Sequence, residues 1–94
     1  MSQSDDHLVE KKCVINNKLG LHARPAALFV QTANRFGSDI IVVKEGEEVN
    51  GKSIMGIMTL AAQQGTPITI RISGPDAQLA LEALVELIEN DFGE

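Results

Sequence analysis

The chain contains no tryptophan and no tyrosine, and its three aromatic residues are all phenylalanine. With so few rings there is no platform on which nucleic-acid bases would stack. The 94 residues sum to a net charge of −5 and contain no basic run, so the electrostatic footprint of a nucleic-acid binder is also missing. A single cysteine, Cys13, excludes an internal disulfide, and the pattern around it places it on the buried face of a strand. No apolar run is long enough to span a bilayer, and Met1-Ser2-Gln3-Ser4-Asp5-Asp6 has none of the features of a secretory signal. The cytoplasm is the expected compartment, without membrane insertion. What is present is ordinary for a folded globule: 44% hydrophobic and 22% charged residues, over a length that makes one domain.

Residues 1–8 read as a flexible polar tail, with His7 a bystander, and residues 9–94 as the domain. Val9, Cys13 and Ile15 alternate with Glu10 and Lys12 and predict a first strand, with Lys11 as the exception on the apolar side. Asn16–Gly20 is a loop. Ala26, Phe29, Val30 and Ala33 then recur at helical spacing, with Gly37 as the expected C-cap. Asp39–Lys44 is β-branched and apolar on both faces, which predicts either a central strand or one with an exposed face. Glu45-Gly46-Glu47 turns the chain into a short returning strand, 47–50. Ser53 opens a short helix, 67–72 alternates as a strand with Ile68, Ile70 and Ile72 inward, and Pro75-Asp76 opens a final helix. The apolar stripe of that helix is Ala77, Ala80, Leu81, Leu84, Val85 and Ile88. The order βαββαβα predicts an α+β open-faced sandwich, a four-stranded antiparallel sheet with three helices on one face.

The chemistry concentrates at Leu21-His22-Ala23-Arg24-Pro25-Ala26. Proline fits only the first turn of a helix, so Pro25 puts His22 at or beside the N-cap, where Ser, Thr, Asp and Asn normally serve. A helix start offers free N–H groups and a partial positive charge. A neutral imidazole there can accept a phosphoryl group, and the resulting dianion would lie over those donors with Arg24 close enough to pair with it. Arg24 opposes the helix dipole, a placement that an incoming phosphate would compensate. No carboxylate base and no metal ligand lies nearby in sequence, so the pattern suits holding and releasing a phosphoryl group rather than hydrolysing it. No cofactor or metal is needed.

Gly20-Leu21-His22-Ala23-Arg24-Pro25-Ala26, followed by Asn50-Gly51-Lys52-Ser53-Ile54-Met55-Gly56-Ile57-Met58, resembles the HPr family, the histidine-containing phosphocarriers of the bacterial sugar phosphotransferase system. The likeness runs from about Val9 to Asp91. It implies a non-enzymatic carrier that takes phosphate from enzyme I on Nδ1 of His22 and passes it to enzyme IIA components. It also implies a second role for Ser53 beyond capping: phosphorylation by a serine kinase/phosphorylase. Ala23, Ala27, Leu28, Ile54 and Met55 would form an apolar patch for brief contacts, and the carrier is expected to be a monomer. Many family members carry lysines on the helix behind the histidine. Gln31 and Asn34 stand here instead, so docking should depend less on salt. Three rivals differ in output: a regulatory phosphorelay protein on the same fold, a ligand-sensing module using the two-sided strand 40–43, and, least favoured, a hydrolase or transferase.

Overall fold

The computed structural model describes residues 7–94. The elements follow the order β1 (His7–Val14), α1 (Ala23–Ala33), β2 (Asp39–Lys44), β3 (Glu47–Asn50), α2 (Ile54–Thr59), β4 (Pro67–Gly74) and α3 (Ala77–Glu89). A single 3-10 turn, Asp91–Gly93, comes last. The strands form one antiparallel sheet in the order β1-β4-β2-β3. This is the α+β open-faced sandwich expected from the pattern. Among the described residues, no helix is long and apolar enough to cross a membrane.

Period-two patterning decides which face of the sheet the helices cover. On the two central strands, Ile68, Ile70 and Ile72 of β4 and Ile40 and Val42 of β2 are buried, and Ile40 lies opposite Ile72. Phe29 and Val30 from α1, Ile57 from α2, and Leu81, Leu84 and Ile88 from α3 complete that core. The other face carries polar side chains. There Arg71 reaches Glu10 of β1 at 3.3 Å and Glu48 of β3 at 3.1 Å, and both carboxylates hold its guanidinium more firmly protonated. These pairs are exposed, so they add little stability. Ile41 and Val43 are half-buried on this same face. The two-sided apolarity of β2 accompanies its place inside the sheet, between β4 and β3. Glu45 and Gly46 both have positive φ, 51° and 83°, which is the two-residue turn whose twist suits a β-hairpin.

Several expectations are corrected. The first strand begins at His7, so His7 and Leu8 belong to β1 rather than to a tail; the remainder of that tail lies outside the described residues. His7 itself is exposed. Cys13 is only half-buried, because β1 is an edge strand covered on one side by α3; partial burial still pushes its thiol up. Helix α1 ends at Ala33 with Asn34 as C-cap, ahead of Gly37. The chain tightens there, with Arg35 N–H donating to Thr32 O and Phe36 N–H to Ala33 O. Gly37 instead gives its amide to Asp76 at 2.9 Å. Asp76 stands at the N-cap of α3 but makes no cap bond to it. It accepts from the hydroxyl and amide of Ser38 and from Gly37, and these donors hold its carboxyl below the ordinary carboxylate value.

Candidate functional site

The geometry around His22 begins in the loop after β1. Buried Ile15 is pinned to the turn before β4, donating its amide to Thr66 O at 2.9 Å and accepting from Gly65 N–H at 2.6 Å. Asn17 then closes a turn on Gly20: Gly20 N–H donates to Asn17 O at 3.1 Å, and Asn17 Nδ2 donates to Gly20 O at 2.7 Å. Gly20 has φ +69°, and a Cβ there would come within 2.3 Å of Ala62 O. The next residue, Leu21, is buried and donates its amide to that same Ala62 O at 2.8 Å. One turn is thus clamped against the segment following α2, and the residue leaving the clamp is His22.

His22 is the N-cap of α1, with extended backbone (φ −76°, ψ −172°), and its ring makes no cap bond. Its carbonyl accepts the first helical bond, from Ala26 N–H at 3.0 Å. Pro25, buried at the third helical position, has no N–H to leave unpaired. The amides of Ala23 and Arg24 therefore remain, and among the described residues neither has a hydrogen-bond partner. No acidic residue occupies the first turn. The His22 side chain is 34% exposed and lines an open depression of about 730 Å³ together with Arg24, Lys18, Leu19, Gln64 and Glu94. Arg24 is exposed and, among the described residues, makes no ion pair. The arrangement sets a ring nitrogen and a guanidinium that makes no ion pair among the described residues on one open depression, beside a helix start with two free amides. Its chemical capacity is to receive an anion on the imidazole.

One member of the site was invisible to the sequence pattern. Glu94 Oε2 lies 3.0 Å from His22 Nε2, although 72 positions separate the two residues. The expectation that no carboxylate stands by the histidine holds along the chain but fails in space. Phe92 was the available signal. A lone aromatic among Asn90, Asp91, Gly93 and Glu94 marks a return to the core, and Phe92 is indeed buried.

The remaining candidates divide. Ser53 caps α2 as expected, its hydroxyl accepting from Gly56 N–H at 3.0 Å. Ile54 and Met55 follow it and are exposed, Met55 to 75%, with Met58 exposed one turn on. Ala23 is exposed and Ala27 half-buried on α1, which packs against α2. Leu28 is also half-buried, but it packs on the core and lines a groove with Thr32, Ala83, Leu87 and Phe92, on the α3 side. Leu19, 71% exposed, lines the same depression as His22, which its place in a polar loop does not signal.

Residues 9–90 match the family model described as "PTS HPr component phosphorylation site". The chain is 52% identical over 87 residues to the phosphocarrier protein HPr of Xylella fastidiosa, covering 93% of this chain and 98% of that one. It is 54% identical over 84 residues to the HPr-like protein Crh of Halalkalibacterium halodurans, covering 89% and 100%. Among solved structures, HPr from Thermoanaerobacter tengcongensis superposes with a TM-score of 0.89 at 55% identity, covering 92% of this chain and 97% of that one.

Proposed function

Since this chain belongs to the PTS HPr family of phosphocarrier proteins, we propose that His22 is its phosphoryl acceptor and donor. In this reading phosphorylated enzyme I charges His22, and enzyme IIA components discharge it, in the cytoplasm. The protein is the modified intermediate between two enzymes and needs no cofactor. The observation that carries the reading is the position of His22 as an N-cap whose ring leaves its own helix uncapped. An added dianion would lie at the favourable end of the helix dipole, next to the Ala23 and Arg24 amides, which are without partners among the described residues. Incubation with enzyme I and phosphoenolpyruvate should add one acid-labile phosphate, located on His22 by fragmentation mass spectrometry. Phosphate on another residue, or none, overturns the reading.

Arg24 is the countercharge in this scheme. It has no partner to lose among the described residues, so Arg24→Glu should barely move the thermal midpoint. Reversing its charge removes a charge-assisted bond worth about 1.5–3 kcal/mol and adds repulsion, so phosphoryl transfer should slow roughly ten- to hundredfold. Rapid-quench transfer rates with enzyme I measure this. Unchanged rates take Arg24 out of the site.

The docking surface would be Ala23 and Ala27 from α1 with Ile54 and Met55 from α2, extended by Leu19 and Met58. Leu28, turned toward α3, would be its outlying member. Ser53 borders this surface, which supports the regulatory role for it. A phosphate from an HPr serine kinase/phosphorylase would place a dianion beside Ile54 and Met55, where a partner has to desolvate the surface. Phosphoserine mapping on protein from cells grown on different sugars is expected to find modified Ser53. Absence of the modification under every condition removes this role.

A further inference from the structure

We propose that Glu94 is a positioning residue that fixes the tautomer of His22 and so selects Nδ1 as the phosphorylated atom. The proposal rests on the reading of His22 as the acceptor. It starts from Asn17, which is only 3% exposed. Gly20 O can only accept, so the Asn17 atom 2.7 Å from it must be the amide nitrogen; the opposite orientation would set two oxygens against each other. That nitrogen gives its second hydrogen to Glu94 Oε1 at 3.1 Å. Asn17 Oδ1 is left buried and, among the described residues, without a partner. An unpaired buried acceptor is costly, so the amide is oriented by the work of its two donors.

Held in this way, Glu94 turns its other oxygen to His22 Nε2 at 3.0 Å. A carboxylate accepts and does not donate, so Nε2 carries the proton and the lone pair remains on Nδ1. The segment that delivers Glu94 is itself constrained. Asp91, Phe92 and Gly93 have φ of 53°, 57° and 75°, a left-handed run that two non-glycine residues adopt only at a cost. Burial of the Phe92 ring in the core offsets that cost.

The transfer balances without moving a proton on His22. The Nδ1 lone pair forms a bond to phosphorus, and the bond from phosphorus to the donor atom breaks, its electron pair leaving with the donor. The ring then holds Nε2–H and the new N–P bond, and its positive charge faces Glu94. On discharge the acceptor atom bonds phosphorus and the N–P pair returns to Nδ1.

Two substitutions separate this role from a merely structural one. In Glu94→Ala, His22 loses its fixed partner. In Glu94→Gln, Asn17 Nδ2 claims the new carbonyl, leaving the Gln NH2 to donate to Nε2 and drive the proton to Nδ1, where it blocks the nucleophile. The near-isosteric change should therefore be the more harmful one. Nitrogen-15 NMR of labelled histidine is expected to show Nε2–H in the unmodified protein, a mixture in Glu94→Ala, and Nδ1–H gaining in Glu94→Gln. Transfer from phosphorylated enzyme I should fall about threefold in Glu94→Ala and about tenfold or more in Glu94→Gln. Nδ1–H in the unmodified protein, or Glu94→Gln matching it in tautomer and rate, overturns the role of Glu94 while His22 is still phosphorylated. An unmodified protein that takes no phosphate on His22 overturns the acceptor reading instead, whatever its tautomer.

Discussion

His22→Ala is expected to fold like the parent protein and to accept no phosphoryl group at all. The folding half follows from what the ring touches. It is partly exposed, caps no amide of α1, and among the described residues its one hydrogen bond goes to a carboxylate on the surface. Removing it costs little, because exposed interactions of this kind are worth little. The chemical half follows from the lack of a substitute. His7 is also exposed, but it stands on the edge strand β1, opposite Gly74 at the end of β4 and outside the depression around His22. Cys13 is half-buried, and its thiol is pushed up, away from the reactive thiolate. Circular dichroism and thermal melting should coincide with the parent. The mass increase seen with enzyme I and phosphoenolpyruvate should vanish. Acid-labile phosphate persisting on His22→Ala would move the acceptor elsewhere.

Gly20→Ala should destabilise the fold heavily, by about 3 kcal/mol, or about 15 °C in Tm. Two costs combine. The backbone is left-handed at +69°, and the added Cβ would come within 2.3 Å of Ala62 O and 2.8 Å of the Gln63 Cα, neither of which is a flexible side-chain tip. Gly65 supplies the control, since its φ is +88° but a Cβ there meets nothing within 4 Å. Gly65→Ala should cost only the conformational part, about 1 kcal/mol. Chemical denaturation of both variants measures the difference, and equal losses would discard the steric argument. Because Gly20 O also receives Asn17 and the following residues carry His22, Gly20→Ala should also loosen the hold on the ring.

How far the sequence could be read depended on the range of the interaction. Ile68, Ile70 and Ile72 declared their strand because alternation is a property of adjacent residues, and the α1 and α3 stripes declared themselves by helical period. Ser53 was legible as a cap and His22 as the residue before a proline-bearing first turn, both from a few neighbours. Gly37 misled because α1 ends before it, at Ala33, and the Gly37 amide is taken by Asp76, which reaches in from beyond β4. Leu28 was grouped with Ala23, Ala27, Ile54 and Met55 in one patch, but the groove it lines is formed with residues of α3 and with Phe92, far along the chain.

By itself, then, the chain's local order determined the βαββαβα succession, the inward faces of β4, α1 and α3, and an imidazole set at a helix start. Propensity and periodicity act within a turn or a strand pair, so neighbours suffice to state them. Only the folded arrangement decided that β4 and β2 are central, that the Gly20 turn is clamped on Ala62, and that Glu94 meets His22. Each of these brings together groups far apart along the chain, and such contacts exist only once the core has closed and the entropy of the intervening loops has been lost.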